Sequence, residues 1–112
     1  MALKRMVLQI GMGTDIRGVD STKAAKRALL DAIRRNALTI APALGKDPND
    51  MHVEVRIGVP DPETVNREDV LSVLPYGKST IEIVAGGLKI PHDGRPDATL
   101  IAHAVTIVRL DV

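Results

Sequence analysis

"IGMGTDIRGVDSTKAAKRAL", residues 10–29, runs from an apolar strand through three glycines and two acids into a basic helix. Upstream, Lys4 to Ile10 alternates, with Met6, Leu8 and Ile10 on one face of a first strand. Downstream, Asp20-Ser21-Thr22 offers three N-caps. Ala24, Ala25, Ala28, Leu29, Ala32 and Ile33 then recur at three- and four-residue steps, with Lys23, Lys26, Arg27, Arg34 and Arg35 opposite. This spacing predicts an amphipathic helix whose alanine face can approach a sheet closely. Pro42 and Gly45 stop it, and "GKDPND" is a surface loop.

Working outward, "MHVEVRIGV" (51–59) alternates cleanly and predicts a half-buried strand. "PDPET" is a turn, and Asn66 caps a short helix with Glu68 and Asp69 in its first turn. Pro75 and Gly77 end that helix, and Tyr76 between them reads as a turn residue packed against it. "STIEIVAGGLKI" (79–90) reads as one strand, with Gly86-Gly87 marking a bulge or a close backbone approach. "PHDGRPD" turns the chain at Asp93-Gly94. The last run, "ATLIAHAVTIVRLDV" (98–112), is apolar on both faces until Arg109 and Asp111, which suits an interior strand or one buried between subunits.

The fold expected is a single α+β domain over residues 1–112, of two layers. It has β-α-β-α-β-β order and a four-stranded mixed or antiparallel sheet with two helices on one face. The other face carries His52, Glu54, Arg56, Thr80, Glu82 and His103. A bare layer of that kind packs readily against a copy of itself.

Composition narrows the function. The 112 residues include one aromatic, Tyr76, so the core is built of smaller aliphatic side chains and buries limited area. This favours a homo-oligomer, a trimer or a higher multiple. A net charge of +1 and a single aromatic argue against a nucleic-acid binder. With no cysteine there is no disulfide, thiol catalysis or thiolate metal site. No run is long enough for a secretory signal or a membrane-spanning helix, so a cytoplasmic protein without membrane partners is expected.

The first turn is the candidate site. Gly11, Gly13 and Gly18 can supply positive φ or let the backbone approach another group closely. Arg17 brings donors suited to carboxylate or phosphate, and Lys23 in the first helical turn can reach toward the same spot. Asp15, the candidate catalytic residue, can be a general base, an acceptor for a substrate N–H, or a clamp on Arg17. It can equally stitch the loop to its own backbone. Two familiar motifs fail: the dinucleotide fingerprint needs glycine where Ile16 stands, and "GKS" at 77–79 lacks the first P-loop glycine, replaced by Ser72. His52, His92 and His103 have no metal-pair spacing, and no metal or cofactor is indicated. Lys89 and Arg95 flank the last hairpin and read as solvated, unless a neighbouring subunit brings them to another chain's first turn.

Gly11-Met-Gly13-Thr-Asp15-Ile-Arg17-Gly18 resembles the G-x-G-x-D-x-H-G signature of the Lin family of conserved hypothetical proteins. "DSTKAAKRAL", "IGVPDPETV" and "LPYGKSTIEIVAGGLKIP" are similar to that family as well, so the likeness covers nearly the whole chain. The resemblance implies that Gly11, Gly13, Asp15 and Gly18 belong to the family's candidate site. Arg17 departs from its histidine. Arginine neither gives up its proton nor ligates metal, so either the role implied is anion or carbonyl binding, or a catalytic step of the family is lost here. The element order also resembles the trimeric chorismate-mutase-like architecture, and ring-opening amidohydrolases look like fused versions of a similar unit. The function expected is a small-molecule enzyme or binding protein at a subunit interface, a hydrolase or lyase of a compact polar metabolite. The alternative is a non-catalytic assembly subunit in which the turn is a structural corner.

Overall fold

The last apolar run becomes the central strand of a sheet in the computed structural model, which describes residues 2–34, 39–75 and 77–112. This strand, β5 (Ala98–Asp111), is flanked by β1 (Leu3–Asp15) and β2 (His52–Val59), both antiparallel to it. β3 (Lys78–Ala85) runs parallel to β2, and β4 (Leu88–Pro91) pairs antiparallel with the first residues of β5. The order is β1-β5-β2-β3, with β4 continuing the β2 flank of β5. The sheet is therefore mixed, as one of the two expected forms.

Among the described residues it has five strands rather than four. The run 79–90 is not one strand; it breaks at Gly86-Gly87, a close backbone approach rather than a bulge, and changes partner from β2 to β5. Gly86 crosses the end of β2, where its added Cβ would lie 3.2 Å from the Gly58 Cα. Gly87 has φ +64°, and a Cβ there would run into the Ile101 carbonyl. Only glycines make that crossing without displacing β2 or β5.

Among the described residues the α-helices are three rather than two. α1 (Ser21–Ile33) starts where Asp20 accepts the Lys23 N–H at 3.1 Å. It ends at Ile33 and does not run on to Pro42, which lies instead inside α2 (Ile40–Ala43), a single turn where a first-turn N–H has no helical partner to lose. α3 (Arg67–Leu71) is capped by Asn66, which accepts the Asp69 N–H, and carries the chain between the parallel β2 and β3. The expectations for Tyr76 and for Arg35 at the end of the first helix lie outside the described residues.

The alanine face of α1 is buried as its spacing demands, and it lies directly on β1. Gly11 and Gly13 sit inside this strand, not in the turn beyond it. A Cβ on Gly11 would strike the backbone of Ala28 and Ala32; one on Gly13 would strike that of Ala24 and Ala28. The strand glycines and helix alanines thus set the distance between the two layers. Met51, Val53, Val55, Ile57 and Val59 complete the core from β2. The opposite face of the sheet carries no helix among the described residues, and His103 is exposed there, on the face where the sequence pattern sets it. No helix among the described residues is long and apolar enough to cross a membrane.

Candidate functional site

The turn from β1 into α1 is held by Asp15. Its carboxylate is buried, and Oδ2 accepts the Asp20 N–H at 2.8 Å. Oδ1 lies 3.8 Å from the Arg27 guanidinium, which also donates to the Thr14 carbonyl at 2.6 Å. Gly18 lies under this carboxylate: a Cβ there would sit 2.7 Å from Oδ2. Of the two uses open to the signature glycines, all three serve close approach, and none has positive φ. The left-handed residue is instead Val19, at φ +50°. A β-branched side chain in that region is strained by about 1–3 kcal/mol, and the surrounding bonds must hold it there.

Asp15 meets Asp20 and Arg27, not Arg17. Arg17 points away to a cleft of about 630 Å³ between this turn and the turn that joins β4 to β5. Ile16, His92, Asp93 and Arg95 share the walls. Neither the Arg17 nor the Arg95 guanidinium has a hydrogen-bond or ion-pair partner among the described residues. Arg95, expected to be solvated or to serve another subunit's turn, lies beside the first turn of its own chain. Lys23 is elsewhere, lining a depression of about 460 Å³ between α1 and α3, where Lys26 pairs with Asp69 at 2.9 Å.

The cleft has a second feature that spacing alone did not single out. His92 Nδ1 lies 2.7 Å from Asp97 Oδ1, and Nε2 lies 2.8 Å from Thr99 Oγ1. The Thr99 hydroxyl is in turn placed to donate to the Ile16 carbonyl at 3.3 Å. Two arrangements of protons fit these distances. With Nδ1–H donating to Asp97, neutral Nε2 accepts the Thr99 hydroxyl. With both ring nitrogens protonated, Nε2–H donates to Thr99, whose hydroxyl turns to Ile16. The chain thus links a carboxylate to the first turn through one imidazole and one hydroxyl. A hairpin centred on Asp93-Gly94 sets residue 92 opposite 97 and residue 90 opposite 99, and that register was the available signal.

On the bare face of the sheet, Glu54 accepts from Arg109 at 2.8 Å and also from Arg56. These hydrogen bonds, Arg109 first, hold its carboxyl below the usual glutamate range against a small opposing effect of burial. His52 and His103 do not join it in a metal site; among the described residues no group of three His, Asp or Glu side chains could hold a metal ion.

Comparison with known proteins agrees with the signature. Residues 5–108 match the family model of the Lin0512 conserved hypothetical proteins, and the chain belongs to that family. A crystal structure of an FtsZ-like protein of unknown function from Nostoc punctiforme is 39% identical. It covers 100% of this chain and 99% of its own, with a TM-score of 0.89. No curated protein matches.

Proposed function

We propose that this Lin0512-family chain binds a small anionic metabolite, bearing a carboxylate or phosphate, in the cleft between the two turns. The observation that carries this reading is the meeting of Arg17 and Arg95, far apart in sequence and without partners, at one concave site. Two unpaired guanidinium groups in a cleft of ligand size favour a group with several acceptor oxygens. Asp93 offsets part of their charge, which favours a compact ligand that also offers a donor. Asp15 acts through the turn, holding Ile16 and Arg17 in place, and the strain at Val19 agrees with a turn fixed for a purpose.

The finer reading is a hydrolase or lyase in which the Asp97–His92–Thr99 chain moves the proton. It is supported by the chain's position on the wall that Arg17 and Arg95 share. A chorismate-mutase-like assembly, with such sites between subunits, suits a sheet with helices on one face only.

The test is thermal unfolding of wild type, Arg17→Met and Arg95→Met with inorganic phosphate, small mono- and dicarboxylates and cyclic amides at constant ionic strength. A ligand at a hundred times its dissociation constant stabilises by about 2.7 kcal/mol, on the order of 10 °C for this length. The expected result is a shift in wild type that is lost in both variants. A shift that survives both substitutions, or none with any anion, overturns the reading. The alternative, a non-catalytic assembly subunit, predicts that the variants alter mass or melting point with no ligand response to lose.

A further inference from the structure

The face of the sheet opposite the helices is more apolar than its sequence pattern suggests. Leu8, Ile10 and Met12 on β1 are 48%, 63% and 53% exposed, and they stand opposite Ile107, Val105 and His103 of β5. Leu88 and Ile90 on β4 are 57% and 49% exposed and lie on the same side, opposite Ile101 and Thr99. Isolated exposed aliphatics are ordinary, but a continuous set across three adjacent strands marks a contact surface. Ile90 belongs to this surface and also to the cleft that Arg17 and Arg95 line.

We propose that this face is the interface with a second copy of the chain, and that the seated copy closes the open side of the cleft at Ile90. Size is the first argument. Strands of 13, 14, 8, 8 and 4 residues, at ~3.3 Å per residue and ~4.8 Å apart, make a face on the order of 700 Å². Standard interfaces bury about 600–1,000 Å² per partner, so the face is of sufficient size. Charge is the second. Arg5, Arg56 and Arg109 share the face with Glu54 and Glu82, so its polar half is of mixed sign. An acidic membrane or a nucleic acid selects a field of one sign. A copy related by symmetry can set an acid of one chain against a base of the other. The inference does not depend on what the cleft binds, since mass and ligand response are separate readouts.

The experiment is the solution mass of the full chain by light scattering and sedimentation, for wild type, Ile10→Arg and Leu30→Arg. Leu30 is 50% exposed on α1, the opposite layer, and serves as the control. Wild type and Leu30→Arg are expected to be multimers, and Ile10→Arg a folded monomer by circular dichroism. Because the chain has no cysteine, Met12→Cys provides a measurement that does not rely on a charged variant folding. A short thiol crosslinker should join Met12→Cys chains and leave Leu30→Cys chains single. A monomeric wild type across the micromolar range overturns the proposal, as does crosslinking only through Leu30→Cys. A monomer that sediments with anionic lipid vesicles overturns it too, and gives the face to a membrane surface.

Discussion

The Asp15 Oδ2 accepts the backbone N–H of Asp20 across five residues, at 2.8 Å, and so ties the end of β1 to the start of α1. Hydrogen bonds to a charged acceptor contribute about 1.5–3 kcal/mol, and an N–H left without a partner costs about 1–3 kcal/mol. Asp15→Ala is therefore expected to lower stability by about 1–3 kcal/mol. Asp15→Asn keeps an oxygen for Asp20 and loses only charge against Arg27, so its cost should be smaller. Urea unfolding of both variants measures the difference; equal losses would show that the charge, not the bond, holds the turn.

Gly13→Ala is expected to separate α1 from β1. The new Cβ meets backbone atoms of Ala24 and Ala28, which cannot rotate aside as a side chain end can. Overpacking of this kind costs about 1–3 kcal/mol. Gly45→Ala is a useful contrast, because its Cβ would enter open space while its φ of +70° alone is unfavourable. Melting temperatures of the two single variants separate the effect of crowding from that of backbone conformation.

Thr106 is fully buried on β5, and its hydroxyl has no hydrogen-bond partner among the described residues. Thr106→Val removes an unpaired polar group at nearly constant shape, and should stabilise the fold by about 1 kcal/mol. Chemical denaturation of the variant checks it; a loss of stability would mean that the hydroxyl has a partner in solution.

Glu54 gives the protein a defined acid response. Its folded-state carboxyl titrates below the ordinary glutamate range because Arg109 and Arg56 hydrogen-bond the charged form. A depressed carboxyl contributes stability that is fully present above the unfolded value of about 4.3 and is lost as pH falls through the folded value. The stability difference between wild type and Glu54→Gln should therefore be constant from pH 7 to about 5 and shrink below that. Denaturation series between pH 7 and 3 measure the trend, and a gap independent of pH would assign no role to the charge.

Residues whose role follows from periodicity were legible in the sequence. The alanine face of α1, the alternation of β2 and the interior place of β5 all follow from spacing, as do the caps at Asp20 and Asn66. Partner choice was less legible. Nothing local to Gly86-Gly87 distinguishes a bulge from a crossing; the answer lies in Gly58, far back in the chain, which meets Gly86 there. For the same reason the first-turn residues were read as one cluster. Asp15 faces inward, Arg17 faces the last hairpin and Lys23 faces α3, because a strand and a helix diverge from the turn in different directions. The cleft itself joins residues 16 and 17 to residues 92 and 95, a meeting that only the β1–β5 pairing produces.

That pairing also governs how the chain reaches its native state. Leu3 is matched with Asp111, and both β1 and β2 find their antiparallel neighbour only in β5. On a ribosome, β1 must wait for residues 100–111 to emerge before its backbone groups are met. The β2-α3-β3 crossover can organise beforehand, from residues close together in sequence. High contact order of this sort places folding in the slower range for small domains, roughly milliseconds to seconds. Until β5 arrives, the strand edges that it pairs and the apolar side chains of β1 and β2 stay uncovered.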